Sequence, residues 1–256
     1  MTRLRHMLGS GAVLPLLLLL SWAVSVRLGL LDARLWSSPQ QVLASAWTVL
    51  QDGSLATALA ASLKRDLLGF AIGAGAGLPL GLLLARVRLA DRLLSPTLNA
   101  TRQVALFAWV PFLSLWLGNG EQGRIAFIAI AAFFPVLLNS HLGAAHIEAR
   151  HLEVARVLCL KPHRVLLKVI LPSALPAIFT GLRLGLIYAW LGTIGAEYLF
   201  ATTPGIGSMM IDARDLFRMD LVILGMVVIG GVGLVLNLVL ARLARLPSSR
   251  GMEELI

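Results

Sequence analysis

The sequence has few charged residues, a single cysteine and none of the short motifs that carry hydrolytic chemistry. Charged residues make up 14% of the 256 positions and hydrophobic residues make up 58%, which is the composition of a membrane protein. The single cysteine excludes an internal disulfide. Neither the H-E-x-x-H pattern of zinc proteases nor the G-x-S-x-G pattern of serine hydrolases occurs. These absences disfavour an intramembrane enzyme.

A nucleotide-binding loop is also missing. The three lysines are Lys64, Lys161 and Lys168, and the residues that follow them are Arg, Pro and Val. None of the lysines can therefore complete the G-x-x-x-x-G-K-[ST] pattern, whose backbone cradles phosphate groups. If ATP drives this protein, another polypeptide must bind it. We predict no cofactor, no metal and no catalytic residue on this chain.

The net charge of +9 is distributed as in a membrane protein. Basic residues lie between apolar segments, and no patch interleaves them with aromatic residues, so we predict no nucleic-acid partner. Acidic residues are nearly absent from the apolar runs. Asp66 opens the second run and Glu197 closes the fifth, where both can lie at the membrane interface. Because proton-driven carriers place acids deep in their spans, this distribution disfavours such a carrier.

Six apolar runs cover residues 12–31, 67–85, 104–120, 125–145, 173–196 and 221–241. A hydrocarbon layer of about 30 Å requires runs of roughly this length. A secretory signal is the alternative for the first run, but the run continues past Arg27 and favours a retained span. Six spans place both termini on one side, and most basic residues fall on that side, which identifies it as cytoplasm. The sequence predicts an all-α membrane protein with six transmembrane helices and cytoplasmic termini.

We divide the chain into three parts. Residues 1–61 hold the first transmembrane helix and an outer-surface segment, residues 62–245 form the core, and residues 246–256 form a cytoplasmic tail. We expect residues 86–103 to be a polar connector and residues 201–219 an outer loop. Four glycines recur every four residues in the second run, which favours close packing against another helix; they are Gly69, Gly73, Gly77 and Gly81.

A basic segment, LEVARVLCLKPHRVLLKVILP at residues 152–172, separates the fourth and fifth runs. We predict a first helix over residues 152–158, a break at residues 159–161, and a second helix that begins at Pro162, whose missing N–H needs no partner there. Pro172 is expected to end that second helix. The segment lies within a cytoplasmic loop at about residues 146–172, where another protein can bind it.

This segment resembles the EAA loop of ABC-transporter permeases, which reads Glu-Ala-Ala, three residues, Gly, nine residues, Ile-x-Leu-Pro. Glu153 and Ala155 match, and Val169, Leu171 and Pro172 stand at the expected distance. Two positions depart from the pattern, because Val154 replaces the first Ala and Cys159 stands where the motif has Gly. Since Gly suits a left-handed turn, a cysteine there is expected to be strained.

Further motifs resemble one branch of these permeases, the importers of sulfonates, taurine and nitrate. Ser62-Leu63-x-Arg65 opens the second span as in that branch, and Phe133-Phe134-Pro135, Ala196-Glu197 and Gly205-Ile206-Gly207 fit its later segments. The likeness covers about residues 60–245. It implies a type I importer permease in the bacterial inner membrane.

The resemblance also implies partners. Two copies of the permease form the pathway, two ABC ATPase subunits bind ATP inside, and a periplasmic or surface substrate-binding protein delivers substrate outside. The EAA-like loop docks on the ATPase, and the residues carried over to that role are Glu153, Ala155, Arg156, Cys159, Leu160, Lys161, Leu171 and Pro172. From the residues alone, Glu153 also suits a helical i,i+3 pair with Arg156.

The sequence thus indicates the permease subunit of an ATP-driven importer for a small organic anion, with an aliphatic sulfonate favoured. Taurine, nitrate or another small solute is the alternative within the family, and a secondary carrier or channel without ATP is the alternative outside it. Arg183, within the fifth run, is expected to extend to the cytoplasmic face rather than contact substrate. Polar or aromatic positions near spans three to five are the candidate pathway residues: Trp109, Asn139, Ser140, Trp190 and Glu197.

Overall fold

The computed structural model describes residues 2–28, 36–200 and 204–243, and these residues form α-helices without any strand. The predicted tail at residues 246–256 and the first part of the predicted outer loop, residues 201–203, lie outside the described residues. The helices are α1 (Thr2–Arg27), α2 (Pro39–Gln51), α3 (Ser54–Arg86), α4 (Arg88–Gln103), α5 (Val110–Leu117), α6 (Glu121–Ala145), α7 (Ala149–Val157), α8 (Pro162–Val165), α9 (Leu171–Leu199), α10 (Ile206–Asp215) and α11 (Met219–Leu243). The predicted all-α class is confirmed.

Four helical segments of the described chain are long and apolar enough to cross a membrane. They are Ser54–Arg86, Glu121–Ala145, Pro162–Leu199 and Met219–Arg242. The bent pair α4 and α5 gives a fifth if it is counted as one span. The 26-residue helix α1 contains the predicted first apolar run up to Arg27. The count of six spans stays a prediction.

The third apolar run does not form the straight helix expected for it. The chain turns by 99° between α4 and the helical segment Leu106–Leu117, because Val104 and Ala105 are extended and end α4. A 3₁₀ turn at Leu106–Trp109 follows, and Pro111 then suits the first turn of α5. The expected polar connector is largely the helix α4, whose exposed Leu89 and Leu93 alternate with arginines.

The expectation that Pro172 ends a helix was wrong. One continuous helical segment runs from Pro162 to Leu199. A proline lacks an N–H, and its ring clashes with the carbonyl of the residue four positions earlier, here Lys168. That residue lies in a wider π-helical turn, Leu166–Ile170, which directly precedes α9. The wider turn explains why the helix continues past the proline.

The chain divides into two compact units. The first comprises Met1–Leu59 and Pro204–Gly230, and its apolar core joins α2 to α10 and α11 through Val42, Ala213 and Leu224. Within the predicted outer loop, Ile206–Asp215 form the helix α10, and the outer location of the loop stays a prediction. Ser45 donates a hydrogen bond to the carboxylate of Asp220 within this unit.

The second unit comprises Ala60–Thr203 and Gly231–Ile256. Its core is formed where α6 packs along α9, and Phe127, Ile128, Ala189 and Phe200 are buried there. The side of α3 that carries the glycine stripe also lies against α6. A methyl group at Gly77 would be 2.7 Å from the carbonyl oxygen of Phe133, so only glycine permits this approach.

Candidate functional site

The predicted hairpin is present as α7, a short break and α8. Ala155 is buried, while the next residues on the outer face of α7 are exposed, with Val157 at 82% and Leu158 at 63%. Glu153 is exposed, and no ion pair joins it to Arg156 within the described part of the chain. The carboxylate of Glu153 is thus available on the surface of α7, beside an exposed apolar strip.

The turn after α7 has the geometry that the motif glycine would suit. Cys159 has a φ of +48°, in the left-handed region. Its N–H donates to the carbonyl of Arg156 at 2.9 Å, and the N–H of Leu160 donates to the carbonyl of Ala155 at 3.1 Å. These two bonds form a Schellman motif, which satisfies the last carbonyls of a helix. Cys159, the residue expected to be strained, is therefore the left-handed residue of the C-terminal cap of α7.

Four of the predicted docking residues come together around one cavity of about 760 Å³. Its walls include Ala155, Arg156, Cys159 and Leu160, together with the basic residues Arg86 and His163. Glu153 and Lys161 lie outside its lining, and Leu171 and Pro172 begin α9. The hairpin therefore presents a positively charged concave side as well as the exposed strip of α7.

A second cavity, of about 430 Å³, lies next to the bend between α4 and α5. Two of the candidate pathway residues, Trp109 and Asn139, line it. The amide nitrogen of Asn139 donates to the carbonyl of Pro135 at 2.8 Å. The remaining walls are mostly apolar or aromatic, formed by Val104, Leu106, Ile130, Ala131, Phe134, Pro135, Leu138, Leu184 and Tyr188.

Sequence reasoning missed Arg102, which is the one charged residue among the described residues that line this 430 Å³ cavity. It had been assigned to the polar connector. One signal could have identified it: positions three and four residues away on either side hold Leu98, Asn99, Ala105 and Leu106, so no carboxylate stands at helical spacing from it. Arg102 is exposed, so its guanidinium is open to a ligand that enters the cavity.

Glu197 lies outside the 430 Å³ cavity, in a buried cluster of charges. Its side chain is fully buried and accepts hydrogen bonds from Arg65 at 2.8 Å and from Ser62 at 2.6 Å. Arg65 also pairs with Glu121, at 2.8 Å from each of two nitrogens. This charge cluster joins α3, α6 and α9. Glu197 and Asp66, which were expected at the membrane interface, are 1% and 0% exposed within the protein, and their depth in the membrane stays a prediction.

Arg124 extends this charge cluster. It is 1% exposed, lies 3.5 Å from Glu121, and donates a hydrogen bond to the carbonyl of Phe200 at the end of α9. Buried charges are costly unless they are paired and hydrogen-bonded. The cluster meets that requirement with residues from three helices, so it ties their ends together.

The other candidate pathway residues are also outside the 430 Å³ cavity. Ser140 is fully buried, on the face of α6 that meets Gly81 of α3. Trp190 is 4% exposed and lies against Gly233 of α11. Arg183 is exposed and donates to the side-chain oxygen of Asn237 at 2.6 Å, and its extension to the cytoplasmic face stays a prediction.

Comparison with known proteins identifies the family to which this chain belongs. A family model described as "binding-protein-dependent transport system inner membrane component" matches residues 77–250. A protein of Bacillus subtilis named as an aliphatic sulfonates transport permease is 38% identical over 87% of this chain and 80% of its own length. A bicarbonate transport system permease of Synechocystis is 34% identical over 89% of this chain and 84% of its own length.

A solved structure of the MetNI methionine ABC transporter in an inward-facing conformation shares the fold, with a TM-score of 0.66 at 20% identity, over 76% of this chain and 96% of that chain. The resemblance noted in the sequence is thereby confirmed. Helices that can span a membrane and the matches over most of the chain lead to one assignment. This protein belongs to the inner-membrane components of binding-protein-dependent transport systems, and is a multi-pass permease subunit rather than an enzyme.

Proposed function

We propose that this chain is the permease of an ATP-driven importer that moves an aliphatic sulfonate into the cytoplasm. The observation that carries the choice of substrate is the 430 Å³ cavity, whose walls are aromatic and aliphatic apart from Arg102, Asn139 and the Tyr188 hydroxyl. Such a wall matches an anion with an alkyl tail. A bare anion such as bicarbonate or nitrate would leave the apolar walls unused.

The same walls favour a sulfonate without an amine over taurine. An ammonium group in a cavity of this kind is normally paired with a carboxylate or held by aromatic faces. Among the residues that the structure describes, no Asp or Glu lines the cavity. Taurine would therefore bring one charge that Arg102 can satisfy and a second charge that has aromatic faces but no carboxylate partner among the described lining residues. This asymmetry supports the plain aliphatic sulfonate as substrate.

ATP must reach this system through partner chains, because the sequence has no phosphate-binding loop. We propose that two ATPase subunits bind the hairpins of two permease copies. The exposed strip of α7 at Val154, Val157 and Leu158 is suited to burial in a groove, with Glu153 as a polar contact at its edge. A binding protein at the outer surface would deliver the sulfonate.

One observation favours a carrier that works without ATP. Asp66 is fully buried, and its Oδ2 has no hydrogen-bond partner among the described residues. Buried acids of this kind serve as proton relays in proton-driven carriers. The two functions differ in a simple property, because only the importer requires a stoichiometric partner that carries a phosphate-binding loop.

Purification of the tagged chain from its native membrane in mild detergent tests the proposal. We expect an ATPase chain to accompany it in stoichiometric amount. Replacing Glu153 with Lys should weaken that association and reduce ATP-dependent uptake while the protein stays in the membrane. Glu148→Lys is the matched control, because Glu148 is also exposed on this loop and takes part only in a 3.8 Å surface pair with Arg150.

Two outcomes would contradict the proposal. A stable assembly of this chain alone that transports in vesicles without ATP would favour the proton-driven carrier. Unchanged association and uptake in Glu153→Lys, with the same result for Glu148→Lys, would exclude Glu153 as a docking contact.

A further inference from the structure

We infer that the 430 Å³ cavity binds the substrate within the permease, with Arg102 holding the sulfonate group, so that this chain itself selects the anion. The inference rests on the proposed function and extends it from a class of protein to a binding site. It is carried by the charge of Arg102, by two neutral donors near it, and by the apolar wall opposite.

The charge on Arg102 has no protein partner in the described part of the chain. No hydrogen bond or ion pair joins Arg102 to a described residue, whereas Arg65 and Arg183 in the same unit are both paired with side chains. A guanidinium group offers five N–H donors in a planar fork that fits the oxygens of an oxyanion. Because the described lining residues include Arg102 and no carboxylate, they carry a net positive charge that an anion would neutralise.

Two neutral side chains supply further donors. The amide of Asn139 uses one N–H on the carbonyl of Pro135, which fixes its orientation and leaves the second N–H for a ligand. Tyr188 also lines the cavity, and its hydroxyl has no hydrogen bond to a described residue. A sulfonate has three oxygens, and one cation with two neutral donors can satisfy them without a second charge.

The rest of the wall suits an alkyl tail. Trp109, Phe134 and Leu106 line the cavity together with further aliphatic residues. Each methylene group removed from water into such surroundings strengthens binding by about fourfold. Affinity should therefore rise with chain length across the alkanesulfonates until the cavity is filled. Inorganic anions without a tail should bind weakly.

Direct binding tests this site without the external binding protein. We would measure fluorescence quenching of the purified permease–ATPase complex by a series of alkanesulfonates, with Trp109→Phe to identify the signal from the cavity. We expect tighter binding with each added methylene, and about 10- to 100-fold weaker binding in Arg102→Gln, the loss associated with a charge-assisted hydrogen bond. Arg102→Lys should be intermediate, because it keeps the charge but not the fork.

Arg92→Gln is the matched control. Arg92 lies on the same helix and is exposed like Arg102, but it does not line the cavity, so its variant should bind alkanesulfonates as the wild type does. In reconstituted vesicles at saturating binding protein, Arg102→Gln should transport fewer sulfonate molecules per ATP hydrolysed. Stimulation of ATP hydrolysis by the binding protein should be retained.

Several outcomes would overturn the inference. Equal binding by Arg102→Gln and the wild type would exclude Arg102 as the anion site, and equal binding of sulfate and hexanesulfonate would exclude a role for the apolar wall. Quenching by vesicles of phosphatidylglycerol but by no alkanesulfonate would make the cavity a lipid headgroup site. In all three cases the complex with the ATPase would still form, whereas failure of the proposed function would appear as the absence of that complex.

Discussion

The buried pairing of Arg65 allows a quantitative prediction, because one arginine faces two carboxylates in different surroundings. The side chain of Glu197 is 0% exposed and that of Glu121 is 48% exposed, and each has an oxygen 2.8 Å from Arg65. Replacing Arg65 with Met leaves the buried carboxylate of Glu197 without its nearest cation. Removal of one partner of a buried pair costs about 3–5 kcal/mol.

The exposed pair is the internal control. Glu121→Gln removes a charge that water screens, so we expect a loss of about 1 kcal/mol or less. A double variant, Arg65→Met with Glu197→Leu, exchanges the pair for apolar side chains, and should recover most of the loss because such exchanges are often neutral. The wild type, Glu121→Gln and the double variant should have similar stability, and Arg65→Met should be much less stable than all three.

Thermal unfolding in detergent, followed by circular dichroism, measures this order. About 2–4 °C per kcal/mol is expected for a chain of this size, so Arg65→Met should lower the apparent Tm by about 6–20 °C. Similar shifts for Arg65→Met and Glu121→Gln would refute the idea that burial sets the cost. A double variant as unstable as the single one would show that packing around Arg65, rather than an uncompensated charge, is responsible.

Two further substitutions test the packing and the hairpin cap. Gly77→Ala would place a methyl group 2.7 Å from the Phe133 carbonyl oxygen, and should destabilise the protein by about 1–3 kcal/mol. Gly75 has open space around it, so Gly75→Ala should leave stability unchanged. Equal Tm values for the two variants would contradict the close packing. Cys159→Gly removes the cost of about 1–2 kcal/mol that a side chain imposes in the left-handed conformation. It also raises the backbone entropy of the unfolded chain, which lowers stability by about 0.5–1 kcal/mol. The net expectation is a gain of about 0.5–1 kcal/mol by thermal unfolding, and a lower Tm would show that Cys159 is not strained.

The features that sequence predicted well depend on neighbours along the chain. The hairpin follows from local signals, with a break at residues 158–161 and Pro162 in the first turn of α8. The helical class of the apolar runs follows from their composition. The glycine spacing in α3 likewise gives a stripe, and the structure shows that α6 is the helix that lies against it.

The features that sequence could not give depend on distant residues. Arg65 and Glu197 are 132 positions apart. Counting basic residues on each side of the membrane assumes that every arginine lies in a loop. That assumption concealed the buried charge cluster and assigned Arg102 to a connector. Average hydropathy also concealed the bend after α4, because residues 104–120 are apolar whether the helix is straight or broken.

We propose that this chain imports a sulfonate at the expense of ATP held by a partner. The most direct measurement is accumulation of labelled butanesulfonate in vesicles that contain the co-purified complex and the binding protein. We predict accumulation against a gradient only when ATP is present on the side that the hairpin faces, and strong reduction in Arg102→Gln. Accumulation by this chain alone, driven by a proton gradient and unaffected by ATP, would contradict the account.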